Sequence, residues 1–229
     1  MFGVLINVLT VVVGALVGLL FKKGIPERVS KAAMIGLGVC TLYIGISGSL
    51  CGENVLIIIV SVVLGAICGT LLDIDGAVNR LATKVEGKFR KEGQKTSLAE
   101  GFVSSTLLFC VGSMTVTGSI QAGLTGDHSI LITKAMLDLV SAMMLASSLG
   151  AGVLLSAGSV LVIQGGLVLL AGVISPLMSP EAVNEMTCAG SLLIIMIGTN
   201  LMGITKFKVA DYLPAILFAP ILHNIVSLF

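Results

Sequence analysis

The chain has 229 residues, of which 56% are hydrophobic and only 11% are charged, and its mean hydropathy is +1.11. Soluble domains carry about 25% charged residues, so this composition excludes a water-soluble globular protein. The formal net charge of +1 gives nucleic-acid binding no electrostatic basis. The composition therefore predicts a protein whose surroundings are the lipid bilayer.

Long apolar runs predict an all-α polytopic membrane protein with about eight transmembrane helices. Helices are expected because lipid cannot satisfy backbone groups, and the alternating pattern of barrel strands is absent. We expect a single integral membrane domain over residues 1–229, because this length leaves no room for a separate soluble domain. The predicted spans lie at roughly 3–21, 31–50, 54–73, 101–123, 130–149, 153–175, 185–204 and 210–228.

The positive charges predict the orientation. Every Lys and Arg except Lys134 falls in one of three clusters, which follow the first, third and seventh spans. In an eight-span protein these clusters share one side, and short loops rich in Lys and Arg face the cytoplasm. Both termini are therefore predicted to lie outside. The clusters are Lys22, Lys23, Arg28 and Lys31; Arg80, Lys84, Lys88, Arg90, Lys91 and Lys95; and Lys206 and Lys208.

The long hydrophilic stretch, residues 80–100, is predicted to be a cytoplasmic amphipathic connector. Leu81, Val85 and Phe89 recur at four-residue spacing, which places them on one face of a short surface helix. Such a helix could sense lipid or regulate the protein, or it could be a solvated connector that anchors the topology.

Two segments of the chain resemble each other and suggest an inverted-topology repeat. Residues 26–29, before the second span, match residues 180–183, before the seventh, at three of four positions, and Gly36 matches Gly190 at the same offset. Spans 1–3 would then correspond to spans 6–8 with opposite orientation, an architecture typical of alternating-access transporters. Chance similarity between Gly-rich apolar segments is the alternative.

The fourth span carries a stripe of polar residues. A continuous helix would place Thr106, Cys110, Ser113, Thr117 and Gln121 on one face, and Gly112 and Gly118 flank a region where the helix could unwind. Broken helices are tolerated at membrane depth where they line a cavity. The stripe could be a solute pathway lined by Ser113, Thr117 and Gln121, or a small-residue packing seam.

The fifth span holds the lone lysine and an aspartate in an apolar environment. Lys134, Asp138 and Ser141 share one helix face, and Lys134 and Asp138 are one turn apart. Charges at membrane depth are costly and usually face a cavity or a partner. Asp138 could bind a proton or cation, or the two charges could form a structural pair, with Lys134 reaching the interface. Asn200, in the seventh span, joins the pathway candidates.

Absent motifs argue against other functions. The chain lacks the motifs of nucleotide hydrolysis, zinc proteolysis and serine hydrolysis, so we expect it not to be an enzyme and to have no catalytic residues. The five cysteines form no C-x-x-C pair, so neither a metal site nor a cofactor is predicted.

The chain resembles the YdfK/YqgA family of bacterial membrane proteins (domain of unknown function 554). That resemblance implies a multipass protein of the bacterial cytoplasmic membrane, without an established activity or functional residues to transfer. Ser113 stands where the family is expected to show Pro, and Ala122 where it is expected to show Asp, which removes a carboxylate near the outer mouth. The motifs that carry the resemblance are residues 1–3, Asn7, 109–115, 118–127, 133–134, 137–138, 164–165 and 213–215.

Two functions are compatible with these features. The first is a small-solute or ion secondary transporter, or channel-like carrier, in which Asp138 binds a proton or cation and Lys134 balances or gates it. The second is a non-transporting accessory or scaffold protein that acts through its helix faces and the 80–100 connector. With either function, the protein's partners would be the lipid bilayer and, because small membrane chains often dimerise, a second copy.

Overall fold

The computed structural model describes residues 1–22, 27–80 and 98–227. Within these ranges the protein is all-α and contains no β-strand, as predicted. The predicted amphipathic connector falls mainly on residues 81–97, which lie outside the described residues. The helices are α1 (Phe2–Lys22), α2 (Glu27–Ser49), α3 (Val55–Leu71), α4 (Ile74–Arg80), α5 (Leu98–Cys110), α6 (Ser113–Leu124), α7 (Ser129–Leu149), α8 (Gly152–Leu169), α9 (Ala171–Ile174), α10 (Pro180–Leu201) and α11 (Ala215–Val226).

The lengths and composition of these helices suit a membrane. In the described chain, two bent pairs could each form a further span: α3 with α4, bent by 51°, and α5 with α6, bent by 58°. Helix α2 corresponds to the predicted second span, but its apolar part, Met34–Ser49, is shorter, so the count of eight spans stays a prediction. Five stretches are long and apolar enough to span unaided: Phe2–Phe21, Ser129–Leu149, Gly152–Leu169, Pro180–Leu201 and Val209–Val226.

Helices α1 and α7 pack closely and run in the same direction. Gly14 lies against the backbone carbonyl of Leu139, and one turn later Gly18 lies against that of Met143. A methyl group at either glycine would overlap the carbonyl, so the Gly-x-x-x-Gly spacing lets the two backbones approach. This contact places the face of α7 that carries Lys134 and Asp138 against α1.

Helices α2 and α10 form an antiparallel pair. Gly38 approaches Gly198 near one end of the pair, while Gly45 approaches Ser191 near the other. Helices α3 and α11 are likewise antiparallel, with α3 residue Gly65 against Ala215.

Helix α8 packs against α1, α5 and α6. Helices α5 and α6 run parallel to α8, since Thr106 donates a hydrogen bond to Ser159 at 3.2 Å and Gly123, further along, contacts the carbonyl of Val168. In the described part of the chain, the largest apolar core lies between α1, α5, α7, α8 and α10 and includes the buried side chain of Phe109.

The ends of the helices fall on two faces. The N-terminal face is defined by Met1 and the connections at 50–54, 125–128 and 170–179, where the rings of Phe2 and His128 lie 6.1 Å apart. The basic face is defined by residues 73–80, 150–151 and 202–208. The directions of the packed helices are those expected if successive spans cross between the two faces in alternating directions.

Candidate functional site

Helix α7 positions the two charged residues that the sequence singles out. Lys134 and Asp138 lie one turn apart on its buried face, with 6% and 5% of their surfaces exposed. The Lys134 ammonium donates a hydrogen bond to Asp138 Oδ2, so the two form a buried ion pair. Asp138 is the tenth residue of a 21-residue helix, which places the pair near the middle of the span.

Two amides from other helices complete this cluster. The side-chain amide of Asn7, on α1, donates to Asp138 Oδ2 at 3.0 Å and to Gln164 Oε1, on α8, at 3.2 Å. Both amide side chains are fully buried. We call Asn7, Lys134, Asp138 and Gln164 the buried polar network; it links α1, α7 and α8 by hydrogen bonds, inside apolar surroundings.

The break between α5 and α6 lies beside this network. Cys110, the last residue of α5, is buried and lies close enough to interact electrostatically with both Lys134 and Asp138. Across the break, the Thr115 hydroxyl donates to the carbonyl of Phe109 at 3.0 Å, which satisfies one backbone group that the helix leaves open.

The same break corrects the predicted polar stripe of the fourth span. The stripe assumed one continuous helix, but the helix ends at Cys110 and restarts at Ser113 in a new direction. Ser113 begins α6, and its side chain lies outside the described part of the structure. Thr117 is exposed on α6.

Gln121 lies at the N-terminal face and not in the buried polar network. Its amide donates to Asp127 Oδ2 at 2.7 Å, in the connection to α7. Hydrogen bonds hold the pKa of the Asp127 carboxyl below its usual value. They come first from the backbone N–H and side chain of Ser129, and then from the amide of Gln121. Gln121 and Asp127 therefore help to fix the turn that leads into α7.

The remaining predicted site residues are also separate from the network. Ser141 is half-buried on α7, one turn beyond Asp138. Asn200 lies at the other end of the molecule, where its Oδ1 accepts from the backbone N–H of Phe207 at 2.9 Å and from the Thr205 hydroxyl at 2.8 Å. These bonds show that Asn200 caps the turn after α10.

Asn200 lines a cavity of 390 Å³ that opens on the basic face. We call this the basic-face cavity, and its wall mixes carboxylates, amides, a lysine and apolar side chains. Glu100 in this wall has no hydrogen-bond or ion-pair partner among the residues that the structure describes. The polar residues of the wall are Asp75, Asn79, Glu100, Ser104, Asn200, Thr205 and Lys206.

Sequence reasoning missed a buried carboxylate at the N-terminal face. Glu185 is 1% exposed, and its Oε1 accepts from the backbone N–H groups of Glu53 and Asn54 at 2.9 and 2.7 Å. It therefore ties α10 to the start of α3. The sequence signal for Glu185 was its position at the start of a predicted span, because a carboxylate there stabilises the N-terminus of a helix.

No group of three His, Cys, Asp or Glu side chains that could hold a metal ion occurs in residues 1–22, 27–80 and 98–227. The expectation that the protein needs no metal or cofactor stays a prediction. The chemistry of the buried polar network is instead that of hydrogen bonding and charge balance.

Two bacterial proteins align with nearly the whole chain. The "Uncharacterized membrane protein YdfK" of Bacillus subtilis (strain 168) is 31% identical over 233 residues, covering 100% of this chain and 98% of that protein. The "Uncharacterized protein YqgA" of Escherichia coli (strain K12) is 33% identical over 220 residues, covering 95% of this chain and 94% of that protein. No solved structure matches the chain.

The model of the family described as "Protein of unknown function (DUF554)" matches residues 2–224. This match and the two relatives confirm the resemblance that the sequence motifs indicated. The chain is a membrane protein that belongs to the DUF554 family.

Proposed function

We propose that this protein is a small secondary transporter, or channel-like carrier, for a small solute or ion in the bacterial cytoplasmic membrane. The observation that carries the proposal is the buried polar network: an ion pair near mid-membrane, linked by Asn7 to an amide on a third helix. Asp138 binds a proton or cation, and Lys134 balances or gates that charge.

The energetic cost of the pair supports a functional role. A charged side chain at the centre of a membrane helix costs about 2.5–3.5 kcal/mol on insertion scales. Replacing a buried ion pair with apolar residues is often neutral or stabilising. Stabilisation of the fold is therefore a poor explanation for the presence of Lys134 and Asp138. Ionisable residues inside a membrane mark ion and proton pathways more often than packing seams.

The helix arrangement supports the inverted repeat that such transporters use. The proposed repeat pairs α1 with α8, α2 with α10 and α3 with α11, and each of these pairs packs directly together. The two helices of each pair run in opposite directions. This is what a two-fold axis in the membrane plane requires of the helices that it relates. Asn7 and Gln164, from α1 and α8, hydrogen-bond each other where these two helices meet.

The other candidate residues fit the two ends of a pathway through this centre. Ser113, Thr117 and Gln121 lie on α6, which leads from the break beside the network to the N-terminal face. Ser141 lies on the basic-face side of Asp138 along α7, and Asn200 lines the basic-face cavity. In this proposal the solute passes from the basic-face cavity, through a charged and closed centre, along α6 to the N-terminal face.

Ion flux through the purified full-length protein in proteoliposomes tests the proposal. Pyranine reports protons in the lumen, ²²Na⁺ and ⁸⁶Rb⁺ report cations, and a valinomycin potassium gradient supplies the driving force for the proton and ²²Na⁺ assays. We expect Asp138→Asn to abolish the flux seen with the wild type. Transport by Asp138→Asn at the wild-type rate would contradict the role of this carboxylate.

Asp73→Asn is the matched control. Asp73 is an exposed aspartate on the basic face that pairs with Arg80, and its positive φ of 49° suits asparagine. This variant should keep the wild-type flux. A wild type that moves none of these ions would favour the accessory or scaffold function, which predicts a stable partner protein in a detergent pull-down.

A further inference from the structure

Within the part of the chain that the structure describes, two buried polar atoms near the network lack a hydrogen-bond partner. They are Nε2 of Gln164 and Oγ of Ser119, and both side chains are fully buried. Buried polar atoms in native proteins are nearly always hydrogen-bonded, so each exception calls for an explanation such as an unseen small ligand.

The two atoms belong to facing positions on α6 and α8. These helices run parallel, with Gly123 of α6 against the carbonyl of Val168 on α8. Ser119 and Gln164 each precede these contact residues by four, which is about one turn, so they lie on the same faces at the same depth. The side-chain oxygen of Gln164 also accepts a hydrogen bond from Asn7, which in turn bonds to Asp138. The place between Ser119 and Gln164 therefore adjoins the ion pair.

The available groups are hydrogen-bond donors. The Gln164 Nε2 group can only donate, and the Ser119 hydroxyl can donate as well as accept. The Lys134 ammonium has three N–H donors, of which one is directed at Asp138. A ligand for this place must therefore accept hydrogen bonds and carry no positive charge.

We propose that this place binds a small monovalent anion together with a proton on Asp138. The anion accepts hydrogen bonds from Lys134, Gln164 and Ser119. This inference rests on the proposed transport function and names its substrate class: a small inorganic anion carried with a proton.

Charge balance couples the two ligands. With Lys134 and Asp138 both ionised, the pair is neutral, and Lys134 is directed at Asp138. When a proton from solution forms an O–H bond on Asp138, the ion pair is broken and Lys134, which keeps its own proton, is an unbalanced buried cation. An anion restores neutrality, so the proton and the anion enter together and leave together, in an electroneutral cycle.

Few other titratable groups surround Asp138. On α7 the neighbour is Lys134, and on α5 it is the thiol of Cys110. Helices α6 and α8 contain no titratable residue, and α1 contains only Lys22, at its far end. Asp138 is therefore the site for the coupled proton.

Proteoliposomes loaded with pyranine and gluconate test the coupling. Adding external chloride or nitrate should acidify the lumen without an imposed potential, whereas adding gluconate, which is larger, should not. Clamping the potential with valinomycin should not change the rate, because the cycle is electroneutral. We expect Ser119→Ala and Gln164→Leu each to lower the initial rate by about tenfold or more, as loss of one charge-assisted hydrogen bond implies.

Ser156→Ala is the matched control for Ser119→Ala. Ser156 is equally buried, on α8, but its hydroxyl is bonded to the carbonyl of Val153 at 2.6 Å, so its removal should leave the rate unchanged. A binding measurement guards against variants that are inactive because they are misfolded. Nitrate should raise the unfolding temperature of the wild type more at pH 5 than at pH 8, and should do so less for Ser119→Ala.

The outcomes separate this inference from the proposed function. Proton flux that is independent of the anion but lost in Asp138→Asn would overturn the anion site and leave the proposed transporter standing. Anion-coupled flux that is equal in the wild type, Ser119→Ala and Gln164→Leu would also overturn the anion site. Flux that Asp138→Asn leaves unchanged would contradict both.

Discussion

The buried polar network and the basic-face cavity contain similar kinds of side chain in opposite arrangements. In the network, Lys134 and Asp138 are in direct contact, almost fully buried and held by Asn7. In the cavity, Glu100 lines a space of 390 Å³ and has no partner among the described residues. The charges in the first region are closed on each other, whereas those in the second are accessible.

This difference separates a site that must open from one that is already open. The desolvated pair can exchange ions only if the helices around it part, whereas the cavity can receive a solute from the basic face at once. It also predicts that neutralising one charge is costly in the network and nearly free in the cavity.

The largest expected effect is that of Lys134→Met. This change leaves the Asp138 carboxylate buried without its counter-charge, and breaking a buried ion pair costs roughly 3–5 kcal/mol. We expect a marked fall in the thermal unfolding temperature of the purified protein in detergent, followed by circular dichroism, and a lower yield.

The double variant Lys134→Met/Asp138→Leu sharpens the same experiment. Because it removes both charges, it should recover most of the stability that the single change loses. If the double variant were no more stable than Lys134→Met, the pair would not be the interaction that the charge deletion breaks.

An intermediate effect is expected for Asn7→Leu. This change removes the hydrogen bonds from α1 to Asp138 and Gln164, and interhelical hydrogen bonds in membranes contribute about 0.6–1.7 kcal/mol. Thr10→Val serves as the control, since Thr10 bonds mainly to the backbone carbonyl of Asn7 on its own helix. Equal unfolding temperatures for the two variants would show that α1 is held by packing alone.

The smallest effect is expected for Glu100→Gln. Glu100 lines the cavity and has no described partner. The substitution should therefore change the protein's free energy of unfolding by no more than about 0.5 kcal/mol. A loss as large as that of Lys134→Met, measured in the same unfolding experiment, would remove the distinction between the two regions.

Sequence patterning predicted the fold class because it is set by composition. Apolar runs of membrane-spanning length require helices, and the all-α polytopic prediction is confirmed. The closeness of Lys134 and Asp138 also follows from a four-residue spacing on one helix.

The rest of the site could not be read from local spacing. Asn7 and Gln164 come from helices far apart in the chain, and only tertiary packing brings them to Asp138. The stripe that joins Gln121 to Thr106 and Cys110 holds only for a continuous helix, and the bend of 58° between α5 and α6 separates these residues. Nothing local to Asn200 reveals that it caps a turn on the opposite face.

The close packing of α1 on α7 has a consequence for how the protein is made. Asn7 and Asp138 are 131 residues apart in the chain. At synthesis rates of about 5–20 residues per second, roughly 7–26 s separate the appearance of the two residues. During that interval the glycine face of α1 and the amide of Asn7 lack their contacts with α7, because α7 has not yet been synthesised. Helix α1 therefore cannot form its contact with α7 until α7 has been synthesised.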